Sequence, residues 1–196
     1  MTRTIGIDFG TTNSLISVIL DDEARSFLHK DMPHPSAVCY DGNQIIVGAE
    51  AKKRIDGSDT AIYDNLVRSP KMELAKDNIY INGRETDPVS VVADLMTYLK
   101  NHAAAADKSG DANLDRAVVS IPVAMDGHTR RKLRDALLKA KIHVVQFVHE
   151  PLAALYGYFK DQADFQHVLS KYQGRLALVF DWGGGTLDLT LCRVVN

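Results

Sequence analysis

The chain has 196 residues, 45% hydrophobic and 24% charged, the make-up of a globular protein with length for one large domain or two small ones. Its 23 basic and 25 acidic residues leave a formal net charge of −2, which gives no reason to expect a nucleic-acid or membrane partner. The seven histidines show no zinc-type spacing, and the two cysteines, Cys39 and Cys192, read as buried thiols in a reducing compartment. The start lacks the basic and unbroken apolar run of a signal peptide, so a cytoplasmic location is expected.

Taken in chain order, Arg3-Thr4-Ile5-Gly6-Ile7-Asp8-Phe9-Gly10 reads as a buried strand ending in a turn, and Ser14 to Leu20 as its hairpin partner. Asp21-Asp22 makes the next turn and Arg25 to His29 a third strand, so an antiparallel meander is expected. Asp41-Gly42 and Asn82-Gly83 are hairpin signals. A helix begins at Asp87 as N-cap with Pro88 in its first turn, and Val91, Val92, Leu95, Met96 and Leu99 keep helical spacing. Lys108 to Asn113 reads as a loop, and residues 34–114 as a smaller inserted α+β subdomain. From Asp115 the chain alternates: strand Ala117 to Pro122, helix capped by Asp126, strand Ile142 to Val148, helix Pro151 to Lys160, strand Leu176 to Asp181. That βαβαβ order implies parallel pairing. Leu187 to Val195 is again strand-like. The expected fold is a ribonuclease-H-like α/β layout, a mixed five-stranded sheet flanked by helices. Residues 1–33 and 115–181 would form its core and 182–196 the start of a second, truncated lobe.

Two segments share one physical design. Asp8-Phe9-Gly10-Thr11-Thr12-Asn13 and Asp181-Trp182-Gly183-Gly184-Gly185-Thr186 each put a carboxylate at the end of an apolar strand and then open a Gly/Thr turn. Glycines let backbone N–H groups approach an anion closely, Thr hydroxyls add donors, and the carboxylates suit Mg²⁺ held through its waters. One such turn is merely a hairpin; two, each preceded by Asp, point to a polyphosphate cradle between strands. The pattern is neither G-x-x-x-x-G-K-[ST] nor G-x-G-x-x-G before a helix.

These residues, with Pro35-Ser36, Val119-Ser120-Ile121-Pro122, Arg130, Glu150-Pro151-Leu152-Ala153-Ala154 and Phe180-Asp181 through Leu187-Asp188, resemble the start of the seventy-kilodalton heat-shock chaperones (DnaK type). The matches run nearly end to end in the family's order. The resemblance implies the nucleotide-binding domain of an actin-like ATPase, with ATP or ADP and Mg²⁺ as ligands. Gly10, Thr11, Thr12 and Asn13 would form the first phosphate loop and Gly183, Gly184, Gly185 and Thr186 the second. Asp8 and Asp181 would place the metal, and Lys71, Glu150 and Asp181 would arrange the attacking water. Pro122 and Arg130 match residues that couple nucleotide state to a peptide-binding domain. Implied partners of an intact protein are unfolded peptide clients, a J-domain co-chaperone and a nucleotide exchange factor.

On the residues alone, Glu150 is equally a helix-start acid favoured by the dipole, and Pro122 a strand terminator. Pro70 before Lys71 is unusual for the family, and Arg68 is a rival cation. Trp182 stands where a small aliphatic residue is usual, the inserted subdomain is short, and residues 161–175 are long, with an amphipathic signal in Phe165, Val168, Leu169 and Tyr172. These departures suggest a divergent bacterial relative. Other readings are a non-catalytic nucleotide sensor and a ribonuclease-H-type metal nuclease using Asp8, Glu150 and Asp181. The two Gly/Thr loops and the lack of a basic face argue against the nuclease. The sequence is expected to be the front part of a longer ATPase and to bind ATP weakly or not at all by itself.

Overall fold

The computed structural model describes residues 3–56, 64–110, 112–184 and 186–195. It opens with the expected meander: β1 (Arg3–Phe9), β2 (Asn13–Leu20) and β3 (Glu23–Ser26), all antiparallel. Asp21 and Asp22, at φ +52° and +63°, turn β2 into β3. Asp tolerates the left-handed region better than most residues, so a two-residue turn forms without glycine, and the third strand begins earlier than Arg25. The two-residue strand β4 (His34–Pro35) returns to pair with the start of β2.

The next segment builds β5 (Val38–Asp41) and β6 (Gln44–Val47) around Gly42 at φ +60°, followed by α1 (Ala49–Asp56), β7 (Leu66–Val67) and the one-turn α2 (Pro70–Glu73). β8 (Ile79–Ile81) and β9 (Arg84–Thr86) form a second hairpin, turned by Asn82 and Gly83 at φ +53° and +69°. The long helix α3 (Pro88–Ala106) follows, with the Asp87 carboxylate accepting from the Val89 N–H. Its apolar stripe is fully buried at Val91, Val92, Leu95 and Met96, and it packs on β2, β10 and α4.

β10 (Ala112–Ile121), α4 (Gly127–Lys139), β11 (His143–His149) and α5 (Glu150–Lys160) then supply the βαβα run. β10 lies parallel to both β1 and β11, giving the sheet order β11-β10-β1-β2-β3, with β4 added against β2. A mixed sheet flanked by helices is therefore present, with a five-strand path and a short sixth strand. β10 starts at Ala112, inside the segment read as a loop, because Ala112 and Leu114 pack partly against the core. The core is made by Ile5, Ile7, Phe9, Val119 and Ile121 of the central strands against Leu95, Leu99, Leu133 and Leu137.

One expectation fails. Past α6 (Phe165–Tyr172), the strand β12 (Leu176–Trp182) does not extend the sheet as a third parallel member; it pairs antiparallel with β13 (Leu187–Arg193) in a separate two-stranded unit. The short Gly-rich turn gives β12 its antiparallel neighbour directly, and apolar alternation does not encode whether the link through α5 and α6 also returns it to the main sheet. On one face of this hairpin, Leu178, Phe180 and Trp182 oppose Leu191, Leu189 and Leu187, and all six are 54–80% exposed. Cys39 and Cys192 are free and buried, as expected. Among the described residues no helix is long and apolar enough to cross a membrane.

Candidate active site

Both Gly/Thr turns reach the same cleft, of about 610 Å³. Gly10, Thr11, Thr12 and Asn13 line one side, Gly183, Gly184 and Thr186 another; Gly185 lies outside the described residues. The first turn is tight enough that a Cβ at Gly10 would collide with the Asn13 carbonyl oxygen. In the second, the Gly183 N–H donates to the Thr186 carbonyl at 2.9 Å and closes the hairpin. A Cβ on Gly184 would run into the Thr12 side chain, so the two turns meet there and a larger residue at 184 would force Thr12 to move.

The charged residues converge between them. Asp8, next to last in β1, and Asp181, in β12, both face the cleft. Lys71 comes from α2 and Glu150 is the first residue of α5. Their side chains, only 10% and 18% exposed, form an ion pair with Lys71 Nζ 2.7 Å from Glu150 Oε1. Lys71 Nζ also lies 6.0 Å from the centroid of the buried Phe9 ring. Pro70, unexpected in the sequence, opens α2 at a position where no amide proton is needed and is itself buried, so it fixes the direction in which Lys71 leaves the chain. Arg68, the rival cation, is exposed and lines no part of the cleft.

Burial pushes the Glu150 carboxyl above the ordinary carboxylate range; the Lys71 ammonium pulls it partly back, and the Asp8 and Asp181 charges push it further up. Three carboxylates against one ammonium leave the cleft short of positive charge. That balance suits a divalent cation arriving with a polyanion. Among the described residues no group of three or more His, Cys, Asp or Glu is arranged to hold a metal directly.

Pro122 and Arg130 sit apart. Pro122 lines a small recess beside the cleft with Glu150, Pro151 and Asp181. The Arg130 guanidinium donates to the Met125 carbonyl at 3.2 Å, while its Nε is buried without a hydrogen-bond partner among the described residues. Two groups escaped the sequence reading. Ser120 donates to Asp8 Oδ1 at 2.7 Å, and Ser36 donates to the Gly10 carbonyl at 2.9 Å. Both lie in quoted family segments, but only strand register reveals their partners: Ser120 is the residue opposite Asp8 across the β1–β10 pair. A larger hollow of about 970 Å³, on the side of Leu152, Tyr156, Phe159 and Val194, is mostly apolar and lacks the convergent charges of the cleft.

Comparison with known proteins gives this cleft its context. The family model for Hsp70 protein matches residues 59–196, more than half of the chain. The chain is 30% identical over 195 residues to the chaperone protein DnaK of Mycoplasma mycoides, covering 98% of the chain and 30% of that relative. It is 28% identical over 194 residues to DnaK of Metamycoplasma hominis, covering 97% of the chain and 30% of that relative. To the chaperone protein HscA homolog of Pseudoalteromonas atlantica it is 29% identical over 215 residues, covering 97% and 32%. The chain thus spans about a third of the length of the curated relatives it matches. By the extent of the family match and the agreement of these relatives along nearly its whole length, the chain belongs to the Hsp70 family.

Proposed function

We propose that this chain is the phosphate-binding part of a DnaK-like chaperone ATPase of the actin-like class, hydrolysing ATP as a switch of peptide affinity in an intact protein. The contact between the two Gly/Thr turns at Thr12 and Gly184 carries the reading, because it makes a single cradle from two hairpins.

The reaction is attack of water on a terminal phosphate, a reaction that asks the protein for position and charge more than covalent work. Turn amides and the hydroxyls of Thr11, Thr12 and Thr186 hold phosphate oxygens. Lys71 brings positive charge to the γ-phosphate. Glu150, paired with Lys71, accepts a hydrogen bond from the attacking water, with Asp181 beside it. Asp8, pinned by Ser120, and Asp181 would hold Mg²⁺. When bound, that ion offsets charge on the diphosphate leaving group. Pro122 shares a small recess with Glu150, so movement at Glu150 would reach it, and with Arg130 it would pass nucleotide state to the rest of an intact protein. Peptide clients, a J-domain co-chaperone and an exchange factor belong to this proposal, as does a cytoplasmic location.

The test is single-turnover ATP hydrolysis by the intact protein that carries this chain, unaltered and as Lys71→Ala and Asp181→Ala. Each substitution is expected to slow turnover on the order of a hundredfold or more, the scale for removing one preorganised charge-stabilising group. Nucleotide binding without turnover in the unaltered protein would move the assignment to a nucleotide sensor. Metal-dependent cleavage of nucleic acid would move it to a nuclease.

A further inference from the structure

The first phosphate turn is held from behind by a segment outside the cleft. Directly after β4, Ser36 is 0% exposed, and Ser14 in β2 is 1% exposed. Ser36 makes two contacts with the turn: its N–H donates to the Thr12 carbonyl at 2.8 Å, and its Oγ donates to the Gly10 carbonyl at 2.9 Å. The two serine hydroxyls lie 2.8 Å apart. A hydroxyl has one proton to give, and that of Ser36 goes to Gly10, so Ser14 donates to Ser36 and the relay runs Ser14 to Ser36 to Gly10.

The chemistry of the relay bears on an anion. A polyphosphate is repelled by carbonyl oxygens and attracted by N–H groups, so a turn binds it only while its carbonyls are engaged elsewhere. Ser36 engages those of Gly10 and Thr12, the first and third residues of a turn of four. Without the hydroxyl, the Gly10 carbonyl loses its buried partner and the turn gains freedom to rotate that peptide.

We propose that Ser36 is a positioning residue for the phosphate turn: its hydroxyl and N–H hold the Gly10 and Thr12 carbonyls back so that the turn meets a phosphate with its donors. This rests on the nucleotide reading above for its ligand, but not for the brace itself.

Two measurements separate the layers. Amide hydrogen exchange on the 196-residue chain compares the unaltered protein with Ser36→Ala and Ser14→Ala. Exchange at residues 10–13 is expected to accelerate roughly tenfold in Ser36→Ala, the scale of one lost buried hydrogen bond, with α3 unchanged. The acceleration should be smaller in Ser14→Ala, which leaves the bond to Gly10 in place. Unchanged exchange at 10–13 in Ser36→Ala overturns the brace, whatever the protein binds. The second measurement is calorimetry of the intact protein with ATP and, separately, with adenosine. Ser36→Ala is expected to weaken ATP on the order of tenfold and to leave adenosine as it was. Equal weakening of both ligands, or of neither, marks Ser36 as merely structural and overturns the positioning role. If the unaltered intact protein binds no ATP, the nucleotide reading fails on its own, and the exchange data still decide the brace.

Discussion

His34 shows how much a single side chain in the strap behind the first Gly/Thr turn can decide. It is 1% exposed, with Nε2 3.0 Å from the Phe27 carbonyl and Nδ1 3.3 Å from the Tyr98 hydroxyl. A carbonyl only accepts, so Nε2 carries the proton and neutral Nδ1 receives that of Tyr98. The His102 ring stands edge-on with its centroid 4.4 Å away, and His29 lies at 6.0 Å. Burial holds His34 below the usual imidazole range, His102 and His29 push the same way, and the Phe27 carbonyl opposes them. Burial also lowers His102, whose Nδ1 has no hydrogen-bond partner among the described residues. Below the ordinary imidazole pKa of 6.5 the unfolded chain therefore takes up protons that the folded chain resists, and stability falls as the pH falls. The urea midpoint of the chain is expected to be lower at about pH 5.5 than at about pH 7.5, and His102→Leu to narrow that gap. An identical gap in the variant would place the sensitivity elsewhere. This cluster was invisible in the sequence, where the histidines read as scattered singles: the three rings come from the β3–β4 connection, β4 and α3, and only the fold brings them together.

At the scale of elements, α3 ties the inserted segment to the central sheet, so its loss would release both β5–β6 and the α4 side of the core. Leu95→Ala leaves a cavity in a fully buried stripe and is expected to cost about 3 kcal/mol. Asp87→Ala removes one cap bond and an exposed ion pair with Lys139 and is expected to cost about 1 kcal/mol. Chemical denaturation should rank the two in that order; an equal loss would mean that the cap, not the stripe, anchors the helix. This element was fully legible, because its cap, its first-turn Pro88 and its apolar period all name the same helix. The turns at Asp21-Asp22 and Asn82-Gly83 were legible too, their residues standing in the left-handed region, although β3 starts at Glu23 and not at Arg25. β12 was legible as a strand and, through its Gly-rich turn, as the hairpin partner of β13; that it stays outside the main sheet was not, since alternation fixes which face is apolar and not which sheet a strand joins. The site was legible in the same uneven way. Asp8, Lys71, Glu150, Asp181 and the described members of both turns reach one cleft, yet Ser36 and Ser120 depend on pairing across strands and left no local mark.

For the whole molecule, the unusual surface is the apolar face of the β12–β13 hairpin, with six large side chains uncovered side by side. A contiguous patch of that kind draws other apolar matter to it. The 196-residue chain is therefore expected to self-associate as its concentration rises, and Leu189→Lys to suppress this; sedimentation that stays monomeric at every concentration would show the face to be harmless.

The same face carries an optical signal. Trp182 is the chain's single tryptophan and is 80% exposed, one residue beyond Asp181 and one before Gly183 of the second Gly/Thr turn. Its emission therefore arises from one known point at the lip of the cleft, without contributions from any other indole. A shift to shorter wavelength would report covering of the hairpin, and a change on adding nucleotide would report the turn beside it. Trp182 thus serves as a built-in fluorescent label for the hairpin and the turn beside it.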